Sequence, residues 1–183
     1  MSYFGAVIGA LIAFAIPLAT PASAEPAMLS DRYEAMGTID AQLGETTYRL
    51  IVPYDIVRNR PHAEQRMIFG SVLTISILGH VFGQDGTPDR PMLQITLQNR
   101  QGEMALISAE ILDGAGYDAP LVMGSDGGQG DLVSFTLEDN VLSGTIEGNF
   151  LRVSGHAPDR SVAEGAEPLP ATLELAVTLP PLE

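Results

Sequence analysis

The sequence predicts an all-β protein, a single-domain antiparallel β-sandwich or small barrel of about eight strands. Apolar and polar residues alternate through most of the chain after residue 34, and this is the period of a half-buried strand. Short turns rich in Gly, Asp and Asn separate the alternating segments, and no long amphipathic helix is evident. Antiparallel sheets bury one face and expose the other, so the alternation fits them.

The N-terminal segment has the features of an export signal. Residues 1–24 carry no charged side chain, Pro17 ends the apolar run, and Ala22, Ser23 and Ala24 precede Glu25. We therefore predict a signal peptide over 1–24 and an extracytoplasmic location, either periplasmic or secreted. The segment lacks the Lys or Arg of a typical signal, so an uncleaved membrane anchor is the alternative, and only then do we expect membrane contact.

The rest of the chain is long enough for one domain with its own core. We predict a tail over 25–34, the β-domain over 35–179 and a C-terminal tail over 180–183. Cysteine is absent, so no disulfide can stabilise the fold, and burial of apolar surface must do so.

The strands are assigned from the alternating segments in chain order. Residues 35–43 and 46–52 form a first hairpin, and 67–82 forms one long strand that Gly70 and Gly79 could bend. The interval 54–65 does not alternate; it offers one helical turn, which Pro61 limits. The remaining strands are expected at 91–98, 103–112, 132–138, 141–153 and 171–179.

The alternation also assigns the buried face of each strand. The predicted core residues are Ile39, Ala41, Leu43, Met67, Phe69, Leu73, Ile75, Ile77, Val81, Leu93, Ile95, Leu97, Ala105, Ile107, Ala109, Ile111, Leu142, Ile146, Phe150, Leu173, Leu175 and Val177. Thr74, Ser76 and His80 fall on the opposite, polar face of their strand, so His80 is expected at the surface.

The net charge of −14 excludes some partners. All of this charge lies after residue 24, and the chain has no Lys, so every basic side chain is Arg. The phosphates of nucleic acids and anionic lipids would repel so acidic a domain, and we expect no nucleic-acid partner.

One basic cluster stands out against this acidic background. Arg58, Arg60, His62 and Arg66 fall within nine residues, in and beside the stretch that does not alternate. Arginine forks bind carboxylate and phosphate groups bidentately, so these residues are the predicted binding site for a protein partner or a small anionic ligand. Alternatively, the arginines pair with Asp55, Glu64 and the acidic surface.

Acidic, glycine-containing loops are a second candidate site. Asp113, Asp118, Asp126 and Asp131 lie in and beside such loops, whose oxygens could hold a structural Ca²⁺ ion. No EF-hand pattern is present, and Asp and Gly are also ordinary turn residues, so the loops need no ion. We expect no other cofactor. His62, His80 and His156 have no metal-ligand spacing.

No motif for a catalytic nucleophile is present. Cys is absent, and Ser125 does not lie in a nucleophile elbow. We therefore expect a non-catalytic binding module that acts through its loops or an edge strand. The alternatives are a hydrolase with scattered carboxylates, such as Asp118 with Asp131 or Glu110 with Glu147, and a structural subunit of an envelope assembly.

Overall fold

The computed structural model describes residues 28–155 and 159–182, and this part of the chain contains strands and no helix. There are twelve strands: β1 (Tyr33–Leu43), β2 (Thr46–Asp55), β3 (Arg60–Pro61), β4 (Ala63–Ile68), β5 (Val72–Phe82), β6 (Pro88–Arg100), β7 (Glu103–Leu112), β8 (Leu121–Met123), β9 (Gly130–Glu138), β10 (Val141–Ser154), β11 (Ser161–Val162) and β12 (Leu169–Thr178). The all-β prediction is therefore confirmed.

Eight of the strands form a closed antiparallel barrel. Their order is β2-β1-β12-β10-β8-β7-β6-β5, and the barrel closes where β5 pairs with β2 at His80 and Ile51. Of the two predicted architectures, the small barrel is the one observed. The other four strands are added to it: β3 pairs with β2, β4 with β5, and β9 and β11 with β10.

The barrel interior is the hydrophobic core, and most predicted faces are confirmed. Strand β10 sends Leu142, Ile146 and Phe150 inward, and all three are fully buried. The inward residues of the other strands also match the prediction: Ile39, Ala41 and Leu43 of β1, Ile75 and Ile77 of β5, Leu93, Ile95 and Leu97 of β6, and Leu173, Leu175 and Val177 of β12.

The single long strand predicted over 67–82 is wrong, because the segment turns back on itself. Strands β4 and β5 form a hairpin whose turn contains Phe69 and Gly70, with φ of 52° and 71°. Phe69 is 97% exposed and Met67 38% exposed, although both were expected in the core. The apolar residues stay at odd-numbered positions on both sides of the turn, so the alternation in the sequence does not reveal the reversal.

A β-bulge in β7 changes the predicted face of the first half of that strand, whereas Ala109 and Ile111 are buried as predicted. The register shifts so that Thr96 faces Ser108 while Leu97 faces Leu106, and Ile107 is the extra residue. Leu106 and Met104 pack against the core in place of Ile107 and Ala105. Ser125 lies in the turn between β8 and β9, and its hydroxyl donates a hydrogen bond of 3.2 Å to the Ile107 carbonyl.

The predicted helical turn within 54–65 is also wrong. Strand β2 extends to Asp55, and the chain returns through a turn into β3 and β4. The returning segment hydrogen-bonds to both edges of the barrel seam: His62 N–H donates to the Pro53 carbonyl, and Leu78 N–H donates to the His62 carbonyl. His80 is only 7% exposed because this segment lies beside it, which corrects its predicted surface position.

Two sequence predictions fall on residues that the structure does not describe. The signal peptide over 1–24 and His156 both lie outside the described residues. Within the described residues, no helix is long and apolar enough to cross a membrane.

Candidate functional site

The structure brings the four residues of the predicted basic cluster together around one groove. Arg58, Arg60, His62 and Arg66 all line a cavity of about 670 Å³, together with Asp55, Glu64 and residues of β5 and β6. We call this cavity the basic groove. Its size falls within the range of small-molecule sites.

Local hydrogen bonds set the position of each basic residue. Arg58 lies in the turn after β2, and its backbone N–H donates to Asp55 Oδ1 at 3.1 Å. Asn59 has φ of 50°, which turns the chain back, and its side chain accepts a hydrogen bond from the Tyr54 hydroxyl. Asn tolerates this left-handed conformation well. Arg60 then lies in β3, and Arg66 lies in β4.

Asp55 is the fixed anionic group beneath the turn. The Arg32 guanidinium donates to both of its carboxylate oxygens, with Nε 3.1 Å from each. These hydrogen bonds outweigh desolvation and lower the pKa of Asp55 to about 2, while the pKa of Arg32 is raised. Asp55 is therefore ionised at neutral pH, and its closest cationic partner is Arg32 rather than a groove arginine.

The three groove arginines differ in their ion pairs. Arg66 lies 2.6 Å from Glu64, and Arg58 Nε lies 3.9 Å from Asp55 Oδ2. Arg60 is exposed and makes no ion pair with the described residues. The pairing alternative thus applies to two of the arginines and leaves the third uncompensated. All three guanidinium groups remain accessible to solvent.

Two histidines meet at the edge of the groove. His62 Nδ1 lies 3.0 Å from His80 Nε2. Burial and the neighbouring His62 lower the pKa of His80 to about 4. Burial and the Arg60 charge also lower the pKa of His62, although Asp55 opposes them. Both rings are neutral at neutral pH, so one nitrogen of the pair donates and the other accepts.

Sequence reasoning missed the pairing of these histidines. They are eighteen residues apart, and no spacing rule connects them. The signal that could have found them is the register: if 60–68 is read as strand paired with β5, residue 62 comes beside residue 78 and thus close to His80.

The acidic residues of the second predicted site are dispersed or already paired. Asp113 accepts hydrogen bonds of 3.0 Å and 2.6 Å from Arg152, which lower its pKa, and a further one from the Ala115 N–H. Asp118 lies in the loop between β7 and β8, and Asp126 in the turn between β8 and β9. Asp131 lies on β9. Within residues 28–155 and 159–182, no group of three or more His, Asp or Glu side chains is arranged to hold a metal ion.

Two of the carboxylates considered for a hydrolase have partners that the structure defines. Glu110 accepts two hydrogen bonds of 3.0 Å from the Arg160 guanidinium. Glu147 lies on β10, where it is the cross-strand partner of Asp131. The sequence did not indicate that Arg152 would pair with Asp113 and Arg160 with Glu110.

Comparison with known proteins adds no relative. No protein-family model matches the chain, and neither a curated protein nor a solved structure matches it.

Proposed function

We propose that the chain is an exported, non-catalytic module that binds an anionic group of a protein partner or small ligand in the basic groove. One observation carries the proposal: three accessible arginines meet around a cavity of about 670 Å³ on a chain whose net charge is −14. An acidic ligand approaching this molecule meets favourable potential in the groove and repulsion from the acidic surface.

The chemistry of the groove fits a carboxylate or phosphate group. Arg60 has no carboxylate partner among the described residues, so a ligand oxygen can take its N–H donors without breaking an ion pair. Arg58 Nε lies 3.9 Å from Asp55 Oδ2, whose closer hydrogen bonds come from Arg32, so the Arg58 guanidinium can turn to a ligand with the loss of one long ion pair. His62 lines the same cavity and offers either a donor or an acceptor.

Binding rather than catalysis is favoured by the state of the two imidazoles. A general base needs an imidazole that faces the proton it removes, with a pKa near the working pH. In this protein His80 hydrogen-bonds to His62, and its pKa is lowered to about 4. The pair is suited to fixing the shape of the groove.

Export is the remaining part of the proposal. It rests on the uncharged segment 1–24 and the small residues before Glu25. N-terminal sequencing of the protein from the producing cells tests it. We expect the first residue to be Glu25, whereas an intact N-terminus on membrane-bound material would contradict cleavage.

The binding experiment compares two sets of substitutions. Arg58, Arg60 and Arg66 are replaced together by Gln, and Arg49 and Arg100, which lie outside the groove, are replaced by Gln as a control. Isothermal titration with inorganic phosphate, citrate and a polyglutamate peptide measures binding. We expect at least one probe to bind the wild type and the control, with affinity that falls as salt rises. We expect the groove variant to lose at least tenfold in affinity.

Equal affinity in both variants would remove the groove from consideration. Because all three replaced side chains are solvent-exposed, the thermal midpoint of the groove variant should stay near that of the wild type. A collapse of stability in that variant would instead show that the arginines serve as structural ion-pair partners.

A further inference from the structure

His62 has one ring nitrogen left for a ligand of the basic groove. Its Nδ1 lies 3.0 Å from His80 Nε2 and is engaged by that ring. Its Nε2 has no hydrogen-bond partner among the described residues, and His62 itself lines the groove. His80 is only 7% exposed and does not line it. A ligand in the groove can therefore contact His62 but not the second ring.

The protonation state of His62 decides what Nε2 offers to a ligand. If the hydrogen of the shared bond belongs to His62 Nδ1, the neutral ring has a bare lone pair at Nε2, and this lone pair repels an anion. A protonated His62 carries a hydrogen on both nitrogens. Its Nδ1–H then donates to His80, and its Nε2–H is available to the ligand. The imidazolium form thus keeps the histidine pair intact and adds both a donor and a positive charge to the groove.

Charged groups from the neighbouring elements act on this ring. The cationic groups are Arg58 in the turn after β2, Arg60 of β3 and Arg66 of β4, the anionic groups are Asp55 of β2 and Glu64 of β4, and the remaining titratable group is His80 of β5. The groove residue of β6, Gln94, is uncharged. Burial and the Arg60 charge lower the pKa of His62, and Asp55 opposes them. The sum of these influences keeps the ring neutral at neutral pH.

An anion bound among the arginines would reverse this balance. Its charge would offset the arginine charges that disfavour the imidazolium, and it would accept a hydrogen bond from Nε2. An opposite charge within about 4 to 6 Å moves a pKa by about 1 to 3 toward the charged form. His80 is a poor site for the added proton, because burial and the neighbouring His62 lower its pKa to about 4. The proton would therefore reside on His62.

We propose that the basic groove takes up a proton on His62 when it binds an anionic group, so that mild acid strengthens binding and alkali weakens it. This coupling rests on the proposed function of the groove and adds a regulation to it. Between the two pKa values of His62, with and without ligand, the bound form carries more protons than the free form. By linkage, the affinity rises as the pH falls through this range.

Sulfate is a suitable probe for this coupling. It remains a dianion from pH 8 to pH 5.5, so its own ionisation cannot cause a pH dependence. Asp55 does not titrate in this range either, because its pKa is about 2. Isothermal titration of the wild type across the range measures the affinity. We expect sulfate to bind at least about tenfold more tightly at pH 5.5 than at pH 8.

The number of protons is measured directly on the wild-type protein. Titration with sulfate at pH 6.5, in two buffers of different ionisation enthalpy, gives the protons taken up for each anion bound. We expect a value between zero and one. Circular dichroism at each pH confirms that the compared samples are folded.

Two variants identify the group that takes up the proton. His62→Gln keeps a hydrogen-bond donor at the groove but cannot be protonated, so its affinity for sulfate should change less than about twofold between pH 8 and pH 5.5. A purely structural role of His62 would instead lower the affinity equally at every pH. Glu64→Gln is the matched control, because Glu64 is also titratable and lines the same groove. This variant should keep the tenfold dependence on pH.

Three results would overturn the proposal. The first is sulfate binding that does not depend on pH and is lost when Arg58, Arg60 and Arg66 are replaced by Gln; the groove would then remain a binding site without proton uptake. The second is a pH dependence that survives His62→Gln or disappears in Glu64→Gln, because the proton would then belong to another group. The third is no binding of sulfate at any pH, in which case the phosphate, citrate and polyglutamate titrations decide separately whether the groove binds anions.

Discussion

His62 and His80 share a hydrogen bond of 3.0 Å at the seam where β5 meets β2 and the barrel closes. At this seam the two strands share one residue pair, Ile51 with His80. The backbone of His62 adds two hydrogen bonds across it, one to Pro53 of β2 and one to Leu78 of β5. Two imidazoles at this separation cannot both be protonated without repulsion. The closure of the barrel is therefore linked to their protonation.

Acidification is expected to destabilise the fold between about pH 6.5 and pH 4. The pKa of His80 is lowered to about 4 in the folded state, so between these values the unfolded chain binds a proton that the folded chain does not. The contribution of His80 is full above pH 6.5 and is lost as pH falls, for a total of about 3 kcal/mol. Urea denaturation at a series of pH values measures it.

His80→Gln should flatten this part of the profile. The substitution removes the group with the more strongly lowered pKa, so the free energy of unfolding should change less between pH 6.5 and pH 4 than in the wild type. His62→Gln is the matched variant and should have a smaller effect on the slope, because His62 is more exposed. Wild-type and His80→Gln profiles with equal slopes would contradict the assignment.

Asp55→Asn should lower the thermal midpoint far more than Asp40→Asn. Asp55 is buried and accepts hydrogen bonds from Arg32 and from the Arg58 N–H, whereas Asp40 is only half-buried and lies 3.8 Å from Arg49. Neutralising Asp55 leaves the Arg32 guanidinium without its counter-charge. Because the pKa of Asp55 is about 2, its contribution should persist until the pH falls below about 4. Similar midpoints for both variants would show that the Arg32 pair contributes little.

Ile75→Ala should cost about 2 to 5 kcal/mol of unfolding free energy, because Ile75 is fully buried in the barrel. Thr74→Ala, on the outward face of the same strand, should stay within about 0.5 kcal/mol of the wild type. Urea denaturation of both variants gives the comparison. Equal losses would mean that the register of β5 is shifted by one residue.

Gly37→Ala should be among the most damaging single substitutions. A Cβ at Gly37 would lie 2.1 Å from the Ala176 carbonyl oxygen, so the backbones of β1 and β12 would have to separate. We expect a loss of about 3 kcal/mol or more in the free energy of unfolding. Gly114→Ala is the control, since a Cβ there meets no atom within 4 Å. A mild effect of Gly37→Ala would contradict the close approach of these strands.

The sequence was sufficient for the regular strands, because alternation directly reports which face is buried. The predictions for β1, β6, β10 and β12 are confirmed for this reason. Alternation failed at two kinds of place: where the chain reversed direction while its apolar residues stayed at odd-numbered positions, and where one extra residue was inserted into a strand. The Phe69 turn kept the alternating pattern through a reversal, and the Ile107 bulge inserted one residue where no Gly or Pro marked it.

The site was accessible to sequence reasoning only in part. The basic cluster could be found because four cationic or titratable side chains lie close together in an acidic chain. The residues that hold this cluster in place could not be found from the sequence. Arg32 hydrogen-bonds to Asp55, which is twenty-three residues away in the chain, and His80 hydrogen-bonds to His62, which is eighteen residues away. Such contacts depend on strand order and closure, which a single sequence does not specify.

The pairing of β1 with β12 has a consequence for the order of folding. Gly37 faces Val177 and Leu43 faces Ala171, so the first strand of the barrel lies beside the last one. During synthesis β1 emerges early, but this neighbour becomes available only when Leu169–Thr178 has left the ribosome. Until then β1 and β10 each lack a partner on one edge, and no shorter fragment can complete the ring. The ring can therefore close only after β12 is available, and its closure joins strands that are more than a hundred residues apart in the chain.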